Sequence, residues 1–394
     1  MEKAVIIGGC GHVGLPLALA LADSGLSVTS YDTNTEVVEL VNAGGLPFLE
    51  QGALEVLHRT LANNNFRASS DRSCIGLADI LIVVIGTPVD EHLNPNPETV
   101  LRAIVELKDQ ISNHQLIILR STVFPGVTAS VARQLFDDGL TPDIAFCPER
   151  IAEGKAFEEL YTLPQIVSGT SESAVNRAGD IFRRLTSEII VTTPEEAELT
   201  KLFTNTWRYI KFAAANQFYM IANDFGLDFE RIRHAITYEY PRAMDMPGPG
   251  FAAGPCLFKD TMQLGAFYNN NFTLGHASMM INEGLPLYLT ARLEEKYNLS
   301  DLRVAILGMS FKAESDDVRS SLSYKLKRIL KFKAKEVLCS DPFVTTDNAL
   351  VSLDEALEKS DLIIIGAPHS VYRDITINQP VVDIWNIRGQ GTLV

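Results

Sequence analysis

The chain has 394 residues, of which 46% are hydrophobic and 21% are charged, and this is enough for two or three domains with separate hydrophobic cores. Lysine and arginine together number 34 and aspartate and glutamate 49, so the formal net charge is −15. An acidic excess of this size argues against a general nucleic-acid binder and against a polybasic membrane anchor. It still leaves room for a local basic pocket that binds a phosphorylated ligand.

The cysteine spacing and the apolar runs bear on the compartment. The five cysteines form no C-x-x-C pair, and none lies near a histidine pair at zinc spacing, so we expect reduced thiols and no metal site. The N-terminus runs into a strand pattern without the features of a signal peptide. Apolar runs such as 80–85 and 362–365 are far below the ~18 residues of a membrane span. We therefore expect a cytoplasmic protein with no membrane segment.

The first half of the chain alternates short apolar runs with helical periodicity, for example over 13–24 and 97–111. Continuous β-branched runs are typical of a parallel sheet that is covered on both faces. We therefore predict a doubly wound α/β domain over 1–194 that binds a dinucleotide. Its predicted strands are 4–8, 26–32, 80–86, 116–122 and 143–148, with further short strands at 165–169 and 188–193.

A long helix is predicted after Pro194. The segment 195–225 has helical period and contains no glycine or proline, which gives a helix of about 45 Å at roughly 1.5 Å per residue. Thr193 offers a cap, Pro194 suits the first turn, and acidic residues follow directly. The helical pattern continues to about residue 297. We therefore predict a helical middle domain over 195–300, whose long helix could form a spine or a dimer interface.

The alternation of strands and helices returns from Leu302, with predicted strands over 302–308, 336–341, 361–366 and 381–385. This part resembles the first in rhythm but has no G-x-G-x-x-G pattern. We predict a second Rossmann-like domain over 301–394. The expected fold is therefore α/β, with two doubly wound Rossmann-like domains joined by a long central helix and a helical middle domain.

Glycines after the first predicted strand indicate a dinucleotide site. Gly9, Gly11 and Gly14 fit G-x-G-x-x-G between a strand and a helix. The first two allow a tight turn and a close approach of the backbone to a pyrophosphate, and the third lets helix and strand pack. Asp32 ends the next strand, where it can accept from ribose hydroxyls, and no arginine follows to hold a 2′-phosphate. The predicted cofactor is therefore NAD rather than NADP.

Cys256 lies in a loop of small residues, GFAAGPCLFKD. Most lone cysteines are buried small hydrophobes, and we interpret Cys74, Cys147 and Cys339 in that way. Around Cys256 the glycines let a ligand approach, and Lys259 follows within one turn. A nearby cation favours the thiolate, so Cys256 is a candidate nucleophile.

Further polar residues stand where this kind of fold binds ligands. Lys201 and Asn205 are spaced i, i+4 on the long helix, so they share a face and could stabilise negative charge on a substrate oxygen. A solvated helix face would give the same pattern. Thr122, Glu149 and Glu153 follow predicted strand ends, where doubly wound sheets place ligands.

Six motifs in order resemble the UDP-glucose/GDP-mannose dehydrogenase family, the NAD-dependent nucleotide-sugar 6-dehydrogenases. The resemblance covers nearly the whole chain and implies a four-electron oxidation of a sugar CH2OH to a uronate, for polysaccharide precursors. A thiohemiacetal and then a thioester would form on Cys256. The motifs are GCGHVGLPLA (9–18), STVxPG (121–126), PERIxEG (148–154), ELTKLxxN (198–205), PGPGFAAGPCLxKD (247–260) and LGMSFKxxxDDVR (307–319).

The resemblance also implies roles for individual residues. Lys201 and Asn205 would steady the oxygen on the reacting carbon, and Asp260 would orient a water or support its deprotonation. Glu149 and Thr122 would place the hydrolytic water. The implied cofactor-binding set is Gly9, Gly11, His12, Val13, Gly14, Asp32, Thr87 and Thr122.

The last domain would bind the nucleotide of a UDP-sugar. Lys312 and Arg319 match family residues near the pyrophosphate, where charge-assisted contacts are needed. Arg242 aligns with an arginine that the family reaches across a subunit boundary, so a homodimer is implied. The implied substrate-binding set is Glu149, Arg150, Ile151, Glu153, Lys201, Asn205, Arg242, Phe251, Gly254, Lys312 and Arg319.

Three alternatives stay open on the sequence. PER resembles the N-acetylhexosamine branch and CLFKD the UDP-glucose branch, so the substrate could be UDP-glucose, UDP-GlcNAc, UDP-ManNAc or GDP-mannose. A two-electron NAD-dependent β-hydroxyacid dehydrogenase would share the Lys201–Asn205 spacing but would need neither Cys256 nor 302–394. A catalytically silent NAD- or nucleotide-sugar-binding regulator would not need these polar residues together.

Overall fold

The structure is a computed structural model that describes residues 2–87 and 98–394. Residue 97, where one predicted helix begins, lies outside the described residues. The chain divides into two compact units, Met1–Thr204 and Asn205–Val394. The predicted three-domain boundaries differ from this division and stay a prediction.

The first unit is built around an eight-stranded sheet. Its order is β3-β2-β1-β4-β5-β6-β7-β8, and β7 pairs antiparallel with β6 whereas the other pairs are parallel. The strands are β1 (Lys3–Ile7), β2 (Ser27–Tyr31), β3 (Phe66–Ser69), β4 (Ile80–Val83), β5 (Leu116–Leu119), β6 (Asp143–Phe146), β7 (Gln165–Gly169) and β8 (Ile189–Val191).

Helices cover both faces of this sheet. Neighbouring residues of β1 alternate between two hydrophobic cores, with Ala4 and Ile6 in one and Val5 and Ile7 in the other. Continuous apolar strands are therefore buried on both sides, as predicted. The helices are α1 (Gly14–Asp23), α2 (Thr35–Asn42), α3 (Ala53–Ala62), α4 (Ser73–Gly76), α5 (Glu98–Glu106), α6 (Val127–Asp137), α7 (Ala156–Thr162) and α8 (Glu172–Phe182).

The long predicted helix is present as α9, which spans Pro194–Asp224. Thr193 and Glu196 form a capping box, because Thr193 Oγ1 accepts from the Glu196 N–H at 3.3 Å and the Glu196 carboxylate accepts from the Thr193 N–H at 3.0 Å. The boundary between the two compact units falls within this helix.

The second unit has a four-stranded parallel sheet of order β10-β9-β11-β12. Val304 and Ile306 of β9 enter one core and Ala305 and Leu307 the other, so this sheet is also covered on both faces. The predicted fold class is confirmed. The elements are α10 (Phe229–Thr237), α11 (Leu257–Phe267), α12 (Thr273–Lys296), β9 (Arg303–Leu307), α13 (Leu322–Leu330), β10 (Glu336–Ser340), α14 (Leu353–Lys359), β11 (Leu362–Ile365) and β12 (Val381–Val382).

The boundaries differ from prediction in a few places. The strand Phe66–Ser69 was not predicted, and three predicted strands end several residues earlier than expected, after Val83, Leu119 and Val382. Apolar residues such as Val84 and Ile85 continue beyond the last paired position, so the apolar run is longer than the strand.

Candidate active site

The turn after β1 needs glycines because one residue has a left-handed φ and because several positions have no space for a Cβ. Gly8 has φ +76°, and a Cβ there would lie 2.4 Å from the Val84 carbonyl oxygen. Gly9 and Gly14 also lack room, since their Cβ atoms would lie 2.6 Å and 2.5 Å from backbone oxygens. A Cβ at Gly11 would meet its nearest neighbour at 3.7 Å, so folding does not require glycine there. Gly8, which the fingerprint omits, is thus the left-handed residue of the turn.

The N-terminus of α1 and the end of β2 fit a dinucleotide. α1 begins at Gly14, and its N-cap residue Val13 makes no side-chain capping bond. The half-buried Asp32 carboxylate accepts from the Cys10 N–H at 3.2 Å and the Asn34 N–H at 3.1 Å. An open glycine, an uncapped helix start and a carboxylate at the next strand end are what a pyrophosphate and a ribose need.

The other predicted cofactor residues border this turn or lie after neighbouring strands. His12 packs edge-on against Phe48, with ring centroids 4.2 Å apart. Thr87 is buried and Thr122 half-buried in the segments after β4 and β5. Ser121 joins these two segments, because its Oγ accepts from the Ile85 N–H at 2.8 Å.

Glu198, the first residue of the ELTKLxxN motif, holds the start of α6, a role that sequence reasoning did not assign to it. Its buried carboxylate accepts from the Gly126 N–H at 2.6 Å, the Thr128 N–H at 2.9 Å and the Thr128 hydroxyl at 2.6 Å. Burial raises the pKa of Glu198, and these hydrogen bonds counteract part of that rise. The STVxPG segment is therefore anchored to α9.

Glu149 is buried, and both of its carboxylate oxygens accept hydrogen bonds. One carboxylate oxygen accepts from Arg120 Nε at 2.8 Å and Nη2 at 2.5 Å, and the other accepts from the N–H groups of Arg150 at 2.7 Å and Ile151 at 2.9 Å. In this arrangement the carboxylate organises its own loop. Its predicted role toward water stays a prediction.

Arg120 is the second residue that sequence reasoning missed. It is 1% exposed, and besides Glu149 it donates to the Cys147 carbonyl at 3.1 Å and to the Gln165 side chain at 3.0 Å. Its guanidinium lies over the Phe182 ring, 4.6 Å from the centroid. A buried charge is tolerated here because every side of it is paired or packed.

The PERIxEG loop is tied down along its length. Lys201 Nζ donates to the Glu149 carbonyl at 2.5 Å, and Arg150 donates to the Pro164 carbonyl. Burial lowers the pKa of Arg150. Ile151 and Glu153 are half-buried in the same loop. The structure thus brings Lys201, Glu149, Arg150 and Ile151 together in the first unit.

Glu50 fixes the end of this loop. Its carboxylate accepts from the N–H groups of Gly154 and Ala156, both at 2.8 Å. Like Arg120 and Glu198, this residue is a buried charge far away in sequence from the loop that it holds. No local motif marks it.

Cys256 is exposed and stands at the N-cap of α11. The other four cysteines are buried, and burial raises the pKa of Cys10 and Cys147 to about 12 and that of Cys339 to about 11. A helix N-terminus stabilises a thiolate, so the accessible sulfur is also the one that the local dipoles favour as a nucleophile.

Asp260 lies one turn beyond Cys256 and is completely buried. Its carboxylate accepts from Asn205 Nδ2 at 2.5 Å, and its other oxygen lies 3.3 Å from Lys259 Nζ. In the second unit Asp260 thus contacts Asn205 and lies one turn from Cys256, and the predicted catalytic roles of the three residues stay a prediction. Lys201 and Asn205 lie one turn apart on α9.

The loop before Cys256 packs on aromatic rings. A Cβ at Gly254, which has φ +100°, would lie 2.6 Å from the Phe311 ring, so only glycine fits. Phe251 is buried edge-on against Trp385, with centroids 6.4 Å apart. Both predicted substrate contacts therefore have a structural basis for their residue type.

The predicted nucleotide contacts occupy the segment after β9. Lys312 Nζ lies 5.5 Å from the Phe311 ring centroid. The half-exposed Arg319 guanidinium binds the Asp317 carboxylate at 2.5–2.9 Å. Both cations thus belong to one segment of the second unit, and their contact with a pyrophosphate stays a prediction.

Arg242 lies on the surface of the second unit. Its Nε donates to the Tyr240 hydroxyl at 2.8 Å, and its guanidinium stacks on that ring at 4.8 Å. The structure gives it no contact with the Cys256 loop among the described residues. Its predicted role across a subunit boundary stays a prediction.

Three family models match the chain. They are described as the NAD binding domain, the central domain and the UDP binding domain of the UDP-glucose/GDP-mannose dehydrogenase family, and they match residues 3–186, 195–283 and 305–390. The chain belongs to this family. The resemblance and NAD as cofactor are confirmed.

Similar proteins agree with this assignment. UDP-N-acetyl-D-mannosamine dehydrogenase of Pyrococcus horikoshii is 30% identical over 388 residues, which cover 95% of this chain and 91% of that protein. Its solved structure aligns with a TM-score of 0.88 at 29% identity over 95% of this chain and 91% of that one. A UDP-glucose dehydrogenase structure from Pyrobaculum islandicum aligns with a TM-score of 0.90 at 26% identity, covering 97% and 94%.

Membership of the family decides between the classes that the sequence left open. The chain is an NAD-dependent oxidoreductase of nucleotide sugars, and a UDP binding domain over 305–390 is not what a β-hydroxyacid dehydrogenase needs. Within the described residues, no helix is long and apolar enough to cross a membrane.

Proposed function

We propose that this chain oxidises the C6 hydroxymethyl group of UDP-N-acetyl-D-mannosamine to the carboxylate, with two NAD molecules reduced per sugar. The observation that carries the proposal is the exposed Cys256 at the start of α11, with Asp260 one turn further along and hydrogen-bonded to Asn205 of α9. A thiol, a carboxylate and an amide in this order are the groups that aldehyde oxidation and thioester hydrolysis require.

The proposed reaction balances in four steps. C6 loses a hydride to NAD and its hydroxyl a proton, which gives the aldehyde. The Cys256 thiolate adds to that carbon, and the resulting thiohemiacetal loses a second hydride to a second NAD. Water then attacks the thioester carbon, the C–S bond breaks, and thiolate and carboxylate are released. One sugar and one water thus give one uronate, two NADH and three protons.

The chain's residues divide the remaining work. The Lys201 ammonium and Asn205 amide would donate to the oxygen on C6 as it becomes negative. Asp260, whose carboxylate Asn205 already orients at 2.5 Å, would accept a hydrogen bond from the attacking water. Thr122 and the backbone that Glu149 holds would bound the site, and Glu153, Phe251 and Gly254 would contact the sugar.

The sugar is proposed from the relatives. UDP-N-acetyl-D-mannosamine dehydrogenases stand among proteins aligned over more than nine tenths of this chain, at up to 30% identity. The PER motif, which resembles the N-acetylhexosamine branch, supports the same choice. UDP-glucose is the second candidate, supported by the CLFKD motif and by the Pyrobaculum islandicum structure.

One titration tests both the chemistry and the sugar. UDP-ManNAc, UDP-GlcNAc, UDP-glucose and GDP-mannose are each supplied in limiting amount with excess NAD, and NADH is measured per sugar. We expect two NADH with UDP-ManNAc, whereas one per sugar would contradict the thioester route.

Substitution of the nucleophile tests its assignment. Cys256→Ala should abolish uronate formation and leave NAD binding intact, because the glycine turn is unchanged. Cys74→Ala is the matched control, since that thiol is buried and we give it no chemical role. Uronate formation at the wild-type rate in Cys256→Ala would refute the assignment.

We also propose that the chain forms a homodimer in the cytoplasm through α9. Trp207, Phe218 and Ile221 are 57%, 45% and 48% exposed at helical spacing on one face of this helix, and Phe225 follows at 78%. Exposed apolar stripes of this kind mark protein interfaces. Phe225→Ser should shift the sedimentation coefficient toward the monomer, whereas Phe332→Ser, at a site 90% exposed elsewhere, should not.

A further inference from the structure

We propose that Asn216, on α9, is a positioning residue that fixes the start of the loop carrying Cys256. The inference rests on the proposed function, because the loop matters only if Cys256 is the nucleophile. The loop runs from Gly250 to Cys256 and contains Phe251 and Gly254, two of the proposed sugar contacts.

Asn216 binds both backbone groups of Gly250. Its Oδ1 accepts from the Gly250 N–H at 2.8 Å, and its Nδ2 donates to the Gly250 carbonyl at 3.0 Å. The side chain is completely buried, and Gly250 is buried as well. Two bonds from one rigid amide fix both the position and the direction of the chain at this residue, whereas a single bond would leave it free to rotate.

A second buried amide sets the orientation of the first. Asn216 Nδ2 also donates to Asn282 Oδ1 at 2.9 Å, and Asn282 Nδ2 donates to the Tyr209 carbonyl at 3.1 Å. Because a backbone carbonyl can only accept, Asn282 must present its oxygen to Asn216. The Asn216 nitrogen must then face Asn282 and the Gly250 carbonyl, which leaves its oxygen for the Gly250 N–H.

Gly250, which Asn216 holds, also has no space for a side chain. A Cβ at Gly250 would lie 2.2 Å from the Trp385 ring, which packs edge-on against Phe251. Gly250 is therefore held between the amide and the indole, and the far end of the loop is held by α11, which Cys256 caps. With the backbone held at both ends, the loop that carries Phe251, Gly254 and Cys256 would be positioned before substrate arrives.

The same helix supplies a matched control. Asn223 is 6% exposed, its Oδ1 accepts from the Val394 N–H at 2.8 Å, and its Nδ2 donates to the Tyr288 hydroxyl at 3.0 Å. Like Asn216, it lies on α9 and satisfies a backbone group elsewhere in the second unit through its amide, but it does not touch the loop. Asn216→Leu and Asn223→Leu should therefore lower stability in the same way and differ only in the loop.

Two measurements on the full chain test whether Asn216 holds the loop. Hydrogen exchange of the peptide covering 250–256 should be faster in Asn216→Leu than in wild type and unchanged in Asn223→Leu. The kcat/KM for UDP-ManNAc should fall about 100-fold in Asn216→Leu, since a misplacement of about 1 Å costs that much. The KM for NAD should stay at the wild-type value, which a general loss of structure would not allow.

Each result has a defined meaning. Equal losses of kcat/KM in Asn216→Leu and Asn223→Leu would overturn the proposal, as would faster exchange without a loss of kcat/KM. If Asn216→Leu does not fold, Asn282→Ala takes its place, because it removes only the acceptor that orients Asn216, and the same shifts are expected at smaller size. Wild type that oxidises no UDP-sugar would refute the proposed function, and the exchange data would then still decide whether Asn216 holds the loop.

Discussion

The turns that follow the first strand of each sheet are built alike and used differently. Gly8 after β1 and Gly308 after β9 both have left-handed φ, +76° and +96°, and a Cβ at either would lie within 2.5 Å of backbone atoms just beyond the end of a neighbouring strand. In both sheets an aspartate ends the neighbouring strand, Asp32 after β2 and Asp341 after β10. Each aspartate accepts an N–H from its turn.

The two aspartates differ in what they have left to bind. Asp341 has no exposed side-chain surface and accepts from the N–H groups of Met309, Ser310, Phe343 and Val344 at 2.6–3.2 Å. His369 Nε2 adds a further contact at 3.1 Å. Asp32 is half-buried and accepts from two N–H groups.

The helices that follow show the same contrast. α1 starts without a side-chain cap, whereas Ser321 caps α13 by accepting from the Ser323 N–H. The carboxylate and the helix start of the first turn are therefore available to a ligand, whereas in the second turn both are used to hold the turn itself.

The largest loss of unfolding free energy should come from removing the Asp341 carboxylate, which accepts hydrogen bonds from four N–H groups. Asp341→Ala leaves four N–H groups and the buried His369 without their acceptor, so the free energy of unfolding of the second unit should fall by about 3–5 kcal/mol. Asp32→Ala should cost about 1 kcal/mol or less, because solvent can replace the carboxylate. Urea unfolding measures the loss of unfolding free energy in both variants, and equal losses would contradict the difference between the two aspartates.

The second prediction separates the glycine that the fold needs from the one that the cofactor needs. Gly8→Ala should lower the free energy of unfolding by about 3 kcal/mol, because its φ and the Val84 carbonyl both oppose a Cβ. Gly11→Ala should change it by less than about 0.5 kcal/mol, since its Cβ has space, and should weaken NAD binding instead. Thermal unfolding and NAD titration distinguish the two outcomes.

Loss of the half-buried carboxylate should affect NAD binding. Asp32→Ala removes a charged acceptor for the ribose hydroxyls, and the Kd for NAD should rise about tenfold to hundredfold. Calorimetric titration gives the value, with Asp341→Asn as the control that leaves the first sheet untouched. An unchanged Kd in Asp32→Ala would remove this carboxylate from the cofactor site.

The smallest effect is confined to acid pH. Burial raises the pKa of Asp341, but the His369 contact and the N–H donors outweigh it and lower the pKa from 3.8 to about 2. A lowered folded-state pKa stabilises the fold above the unfolded value, so this contribution should be complete above pH about 4 and disappear between about 4 and 2. The difference in thermal midpoint between wild type and Asp341→Asn should shrink over that interval, and a constant difference would contradict it.

Much of the fold follows from the sequence because its signals are local. Apolar β-branched runs predicted eleven strands, and an uninterrupted helical period predicted α9 to within a residue at each end. β3 was not predicted because only Phe66 and Ala68 of Phe66–Ser69 are buried, so no continuous apolar run marks this strand. The reversed direction of β7 has no sequence signal, since strand direction is decided by pairing.

The residues of the candidate site also fall into those that a local sequence pattern reveals and those that only the fold reveals. Gly9, Gly11, Gly14 and Asp32 carry a spacing that backbone geometry dictates, so a sequence reveals them. Residues that hold loops from elsewhere in the chain are visible only once the fold brings them near. These are Glu50, Arg120, Glu198, Asn216 and Asn282.

The turn after β9, whose aspartate and helix start are already hydrogen-bonded, bears on the order of steps in the proposed reaction. Within residues 2–87 and 98–394, the turn after β1 is the one that combines an open glycine, an uncapped helix and a half-buried acid. The proposed route needs two oxidations at one dinucleotide site, so reduced cofactor would have to depart and fresh cofactor enter between them. A covalent tether on sulfur would keep the half-oxidised sugar from escaping during that exchange.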